Sequence, residues 1–388
     1  MLFPAIQNAW NTSQSEIFQQ LKQIQHIDIC GDGRCDSPGH SAKYGTYSLL
    51  DETSGKVVEF SVVQVTEVTS SNAMEYEECK RSLNSLLENN IPIRCLTTDR
   101  HVTVTARMRS DYPKIKHQYD VWHLSKWVTK KLFKKAKMKT CAELMPWVQA
   151  VSNHLWWSAS TCDGDPEMLR EKWVSTLRHT VNKHKWNDHH VFHQCRHPIM
   201  STRERISIKW LDAGSPSHVA FEEVVTNNKL LKDLAMLTEF HHTGELEQYH
   251  SLMLKYLPKR EHFSFKGMVA RTQLTALDHN WNVNRNQAIV KKGASQGKKR
   301  FNVVCPKQRK NWVAKPIKEQ KSYSYIRAMM RDVIDIQEGK LTIDYNPARQ
   351  KKCIAPIPKP PKQEVINRHI TRMKKSKTIN EKQSSTVN

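Results

Sequence analysis

The chain has no run of 18 or more apolar residues, and its start, MLFPAIQNAW, lacks a basic stretch followed by an apolar one. Neither a membrane span nor a secretory leader is therefore expected. Acids are scarce beside bases: 38 Asp+Glu stand against 61 Lys+Arg, a formal net charge of +23. Such an imbalance favours a polyanionic partner, with nucleic acid ahead of an acidic membrane surface. Nine cysteines, an odd number, follow no tight framework, which argues against a disulfide scaffold and for reduced thiols in cytosol or nucleus. No zinc-finger or helix-turn-helix signature is visible, so no module for reading base edges is expected. The 388 residues allow one large domain or two to three ordinary ones.

What is present is an ordered alternation of short extended runs and helical ones. HIDIC (26–30), YGTYSLLD (44–51) and KVVEFSVVQV (56–65) read as three strands of an antiparallel meander, the last two joined by the turn signal ETSGK. A helical stretch (71–90), a strand ending at Asp99 (91–98), a second helix (102–112) and the strand KIKHQYDVWH (114–123) follow. The order β-β-β-α-β-α-β-α is that of a ribonuclease-H-like α/β fold with a mixed sheet. From 139 to 230 helical periodicity takes over, which predicts a large all-α insertion. A further helix begins at Thr243–Gly244 within a closing segment, 231–290. Residues 1–25 read as an N-terminal helical remnant, 26–138 as the first part of the α/β core, and 291–388 as a basic, partly disordered region with 25 Lys/Arg against 7 Asp/Glu.

The acids carry the chemistry. Asp28, Cys30 and Asp32 share one face of the first strand, and Asp32 stands where that strand meets Gly33. The fourth strand ends in the same way, at Asp99. If strands one and four are parallel neighbours, the two carboxylates face each other across the sheet rim. Their mutual repulsion is relieved by a hard divalent cation, Mg²⁺ or Mn²⁺. Two such ions can assist an in-line phosphoryl displacement. A third acid would come from a helix beside the sheet, Glu247 or Glu245 in TGELEQYHS. The alternative is plain: an Asp–Gly pair after a strand is often only a turn.

The strings GDGRCDSPGHSAKYGTYSLLD, TTDRH, HQYDVWH, TGELEQYHS, KGMVARTQLTALDHNWN and WVAKPIKEQKSY together resemble the catalytic region of Kolobok-superfamily DDE transposases, over nearly the whole chain. The resemblance implies a triad of Asp32, Asp99 and Glu247, the last matching the acid of the family's Leu-Glu-x-x-His/Asn-Ser string. It implies further that Asp120 and His123 form the family's Asp-x-x-His signature, with His123 near the scissile phosphate and Asp120 and Asp36 supporting. Gly33 and Gly39 would permit the turn after Asp32. The expected activity is cleavage of transposon-end DNA followed by strand transfer into target DNA, in the nucleus, by a homo-oligomer. Relatives typically carry an N-terminal region, often with a THAP-type zinc finger, and nothing like it precedes the first strand. Two rivals remain: a truncated or domesticated remnant that binds DNA without cutting it, and a nuclease that hydrolyses without strand transfer.

Other features have bland alternatives beside them. LSKWVTKKLFKKAKMK (124–139) carries seven lysines and no acid. Lys126, Lys130, Lys131, Lys134 and Lys135 could lie along a DNA backbone, or simply face solvent over a stripe of Trp127, Leu132 and Phe133. His179, His184, Cys195 and His197 could bind Zn²⁺ tetrahedrally, although their spacing fits no standard finger. Trp156 and Trp157 could stack on an unpaired base or pack into the helical core. CDGDPE (162–167) reads as a turn, and Cys30 and Cys35 have no local signature of a nucleophile.

Overall fold

The computed structural model describes residues 1–37, 42–307, 311–345, 358 and 360–369. Gly39 and most of the Pro/Lys-rich and Ser/Thr/Asn-rich tail lie outside them. The chain divides into a unit spanning Met1–Ala348 and a second spanning Arg349–Asn388. In the second, the helix Lys362–Asn367 is described.

The first unit is α/β and centres on a mixed five-stranded sheet. Its strands are β1 (Ile27–Cys35), β2 (Tyr44–Asp51), β3 (Val57–Gln64), β4 (Ile93–Thr98) and β5 (Lys116–Tyr119), in the order β3-β2-β1-β4-β5. The first three pair antiparallel, and β4 and β5 join parallel. All eight residues of β2 are buried, because both faces of the sheet are covered. On one face Tyr47, Leu49, Ile29 and Leu96 pack against α2 (Ser71–Glu88) and α3 (Val102–Asp111) through Leu83, Leu86, Val104 and Met108. On the other, Cys30, Tyr44, Leu50 and Val57 meet α11 (Gly244–Tyr256) and α12 (Phe265–Asn282) through Leu246, Tyr249, Met253 and Ala276. The period-two alternation of β2 thus serves both cores. The N-terminal helix α1 (Leu2–Leu21) contributes to both as well, Ile6 and Trp10 to one and Ile17, Phe18 and Leu21 to the other.

β1 is longer than its sequence suggests. It runs past Asp32 to Cys35, paired with β2 from Ile29↔Asp51 to Cys35↔Gly45. Gly33 therefore makes no turn. Gly31 and Gly33 are needed for close approach: a Cβ on Gly31 would lie 2.6 Å from the Tyr47 ring, and one on Gly33 would lie 2.9 Å from Glu75 Cγ.

β5 ends at Tyr119, and Asp120 is the N-cap of helix α4 (Val121–Ala136), accepting the Trp122 N–H at 2.8 Å. DVWH is thus a helix start rather than a strand end, because an Asp side chain satisfies an otherwise orphaned N–H there. The insertion is helical as expected, with α5 (Trp147–Ser160), α6 (Pro166–Val174), α7 (Thr176–His179), α8 (Thr202–Ser207), α9 (Pro216–Val225) and α10 (Asn228–Leu234). Its core joins α5, α6 and α9 to α4 through Leu124, Val128, Leu132, Leu155, Trp173 and Phe221, whereas α8 has no buried residue. The buried Trp173 indole donates to Val225 O at 2.9 Å, so its polar edge is satisfied. Trp156 packs edge-on to Phe240, and Trp157 lies against His154 and Phe192, which places both in the packing of the insertion. CDGDPE is a turn, with Asp163 and Gly164 at positive φ and Asp165 capping α6. Beyond α12 the described residues form a hairpin, β6 (Phe301–Val304) with β7 (Val313–Pro316), and a helix, α13 (Ser324–Gln337), whose Tyr325 and Met329 enter the core shared with α11 and α12. Among the described residues no helix is long and apolar enough to cross a membrane.

Candidate active site

The β1–β4 ladder pairs Cys30 with Thr97. Two residues further along each strand stand Asp32 and Asp99, so parallel pairing delivers two carboxylates to one edge of the sheet. Asp99 Oδ1 accepts the His101 N–H at 3.0 Å. Burial and then the nearby Asp32 charge push the Asp99 carboxyl above its ordinary range, against the pull of His123 and that N–H. Asp32 Oδ1 accepts the Gly33 N–H at 2.9 Å, and its Oδ2 lies 3.5 Å from His250 Nδ1.

Asp120 anchors the next layer. It is fully buried, and it accepts hydrogen bonds from His123 Nδ1 at 2.9 Å and from the Thr243 hydroxyl. Burial alone would raise it, but these bonds and the Trp122 N–H hold it below the usual carboxylate range. The bond to Asp120 raises His123, with Asp120, Asp99 and Asp32 adding their charge. His123 is thereby favoured as an imidazolium beside the two aspartates.

Thr243 also marks where α11 starts, since its carbonyl accepts the Glu247 N–H at 3.0 Å. Thr243, Glu247 and His250 lie at i, i+4 and i+7, a single helix stripe. Thr243 reaches Asp120 and His250 reaches Asp32, whereas Glu247, between them in the sequence of that stripe, is exposed. Glu245 is turned elsewhere: its carboxylate sits over Gly55 in the β2–β3 turn, 2.4 Å from where a Cβ there would be.

Two members of this group were not read from the sequence. Glu75 of α2 lies against Gly33 and 3.7 Å from His101 Nε2. Burial, then Asp99 and Asp32, push its carboxyl up to about 8. His250 is the other. Nothing in AMEYEECK distinguishes Glu75 from Glu77 or Glu78. Its signal is spatial, a side chain filling the room left by a strand glycine. His250 was visible in TGELEQYHS, one turn after Glu247, but only as part of a matching string.

Asp36 is spent on closing a loop, its Oδ1 accepting the Lys43 N–H at 3.0 Å and its carbonyl the Arg260 N–H. The thiols are poor nucleophiles: burial raises Cys30 well above its ordinary range and Cys35 to about 11. On α4, Lys126 lies over the Trp122 ring and Lys131 over Trp127, while Lys130 and Lys134 are exposed. Lys135 is paired with Glu223, which takes it out of the set expected to meet phosphate. The stripe that buries this helix is Leu124, Val128 and Leu132. Phe133 is exposed.

The donors at the sheet edge suit a hard cation. They are carboxylate oxygens under mutual repulsion, and among the described residues neither Asp32 nor Asp99 has a Lys or Arg ion-pair partner. A second acidic group, Asp28, Glu239 and His241, does not suit one. Arg94 bridges Asp28 and Glu239, and Lys116 also holds Glu239, so protein cations already supply the charge. The third group is His179, His184, Cys195 and His197, whose ligand atoms all lie within 4.8 Å of one another.

No protein-family model matches this chain, and no curated protein matches it.

Proposed function

We propose that the chain is a polynucleotidyl transferase of the DDE-transposase kind, built on a ribonuclease-H-like sheet. The strand order β3-β2-β1-β4-β5, antiparallel through the meander and parallel beyond it, supports that description of the sheet. The observation that carries the reading is the closeness of Asp32 on β1 and Asp99 just past the end of β4, two residues beyond the Cys30–Thr97 pair of adjacent parallel strands, and Glu247 on α11 is assigned as the third acid from the family resemblance. These three would hold one or two Mg²⁺ or Mn²⁺ ions, whose Lewis acidity would polarise a phosphodiester and stabilise its leaving oxygen.

The protein's own groups have separate tasks. Asp120 fixes the ring of His123 through Nδ1, which turns the imidazolium edge toward the phosphate's position and favours negative charge there. The exposed lysines of α4 run away from that point, because the helix begins at Asp120. A phosphate backbone engaged at the aspartates could therefore continue along Lys126, Lys130 and Lys134. The same reading carries the expectations of a nuclear DNA partner and of an oligomer when active.

The test is metal-dependent nicking of supercoiled DNA by the wild type and by Asp99→Asn, together with joining of a pre-cut end to plasmid. Nicking and joining that both need Asp99 support the transferase. Nicking without joining would leave a nuclease, and DNA binding with neither would leave a non-catalytic remnant.

A further inference from the structure

We propose that His179, His184, Cys195 and His197 form a closed, structural Zn²⁺ site that staples the far end of the helical insertion. Three elements bring the ligands together. His179 ends α7. His184 and Cys195 stand opposite each other on a small hairpin, with the Cys195 N–H donating to His184 O at 3.0 Å and the Trp186 N–H to His193 O at 2.9 Å. His197 follows two residues later. The hairpin tip is set independently of any ion, because Glu171 accepts the N–H groups of His190, Val191 and Phe192 at 2.7–2.9 Å.

Two edges of the group have the lengths of a coordination tetrahedron, and all four ligand atoms lie within 4.8 Å of one another. Zn–N bonds of about 2.0–2.1 Å and a Zn–S bond of about 2.3 Å imply N···N edges near 3.3 Å and N···S edges near 3.5 Å. His184 Nδ1 and His197 Nε2 are 3.2 Å apart, and Cys195 Sγ and His179 Nδ1 are 3.5 Å apart.

The outward nitrogens fix which atoms face inward. His197 Nδ1 lies 2.7 Å from Pro198 O, an acceptor only, so that nitrogen carries the proton. His184 Nε2 lies 3.0 Å from Asn182 Oδ1 and donates likewise. The two inward nitrogens then face each other across 3.2 Å, and with no proton on either their lone pairs repel until a cation, a proton or a metal ion, sits between them. Oxygen partners on the outer N–H groups are also what orients histidines that ligate metal.

The insertion needs such a staple here. Between residues 183 and 209 only Trp186 and Phe192 are buried, and Ile199 and Ile206 are 100% and 79% exposed. A stretch with so little core gains order from cross-links, and four protein ligands leave no open position for catalysis. This site stands whether or not the carboxylates cut DNA.

Native mass spectrometry of the full chain, purified without added metal, should find about one zinc per chain. Cobalt(II) exchanged into it should give a thiolate-to-cobalt charge-transfer band. Cys195→Ser should abolish that band and weaken zinc binding by more than the roughly 10–100-fold that loss of an outer-shell partner costs. If Cys195→Ser does not fold, His197→Gln, at an exposed position, should show the same weakening, whereas His193→Gln on the same hairpin should bind normally. A full chain that takes up no zinc or cobalt, or a charge-transfer band that survives Cys195→Ser, would overturn the assignment.

Discussion

The two ends of this molecule that gather metal-ligating side chains are built by opposite means. At the sheet edge, Asp32, Asp99 and Glu75 are brought together, burial and then Asp32 raising Asp99, and burial, then Asp99 and Asp32, raising Glu75. At the insertion's far end, three imidazoles and one thiol converge, with the outer nitrogens of His184 and His197 held by oxygen atoms. The first arrangement is costly until a hard cation and a phosphate arrive, which suits exchangeable ions and chemistry. The second is closed and soft, which suits one retained ion and stability. If both proposals hold, the same chain would use oxygen donors for reversible charge and nitrogen and sulfur donors for a cross-link.

The comparison breaks first at the aspartates. Asp99→Asn and Asp32→Asn should each lower DNA cleavage by roughly a thousandfold or more, since several kcal/mol of charge stabilisation would go with the cation. DNA binding, measured separately, should persist or tighten. Cleavage retained in either variant would remove the oxygen site from the comparison. Glu247→Gln should resemble them and Glu245→Gln should be mild. The reverse ranking would move the third acid to the residue now seen over Gly55.

Binding is the next largest effect. In a competition assay at about 150 mM salt, a candidate transposon end should be preferred over scrambled DNA by less than roughly 1000-fold, the lower end for dedicated sequence readers. A greater preference would mean that a base-reading element lies within these residues. Lys130→Gln and Lys134→Gln should each reduce the slope of log K against log salt by about 0.9 if they contact duplex phosphate. Lys135→Gln should leave the slope unchanged, because its ammonium is already engaged by Glu223.

Stability gives a smaller and sharper contrast. Glu75 has a folded-state carboxyl near 8, above its ordinary 4.5. The folded protein therefore holds that proton more tightly than the unfolded chain does. Stability from this group is fully present below about 4.5 and is lost as pH rises through about 8. Without divalent ions, Glu75→Gln should raise the melting temperature at pH 9 by about 1–3 °C and flatten the pH dependence across that window. It should also shrink the stabilisation gained on adding Mg²⁺. A variant no more stable than wild type at pH 9 would show that Glu75 is not strained by its neighbours. Half-buried His117, lowered to about 4 by desolvation and then by Arg109, has the opposite sign. Its contribution is present above about 6.5 and is lost as pH falls toward 4, so His117→Gln should soften acid unfolding measured by circular dichroism.

Much was legible in the sequence for reasons that are local. The extended runs YGTYSLLD and KVVEFSVVQV, with the turn signal ETSGK between them, marked β2 and β3 to within a residue. Thr243–Gly244 marked the start of α11, and the helical periodicity from 139 onward marked the insertion. Asp32 and Asp99 could be nominated because each closes a strand-like apolar run in the sequence, and Glu247 rather than Glu245 only because it matches the acid of the family string. That the four residues of the His/Cys group might meet was also readable, since they lie within nineteen positions of one another (179–197).

Tertiary structure alone decided the rest. Gly33 reads as a turn, yet it continues a strand, because the partner strand and the Glu75 side chain lie closer than local sequence can indicate. Glu75 enters the carboxylate group from a helix more than forty residues after Asp32, and only the packing of α2 over that strand glycine selects it from three neighbouring glutamates. Glu247 is separated from Glu245 by helix rotation about α11, which is set by Leu246, Tyr249 and Met253 entering the core. The +23 charge favours a polyanionic partner, but which lysines remain open to one depends on ion pairs such as Lys135–Glu223, formed across 88 residues of chain. Local sequence fixes backbone preference and side-chain periodicity. Long-range packing fixes which charges meet, and the chemistry of both sites depends on those meetings.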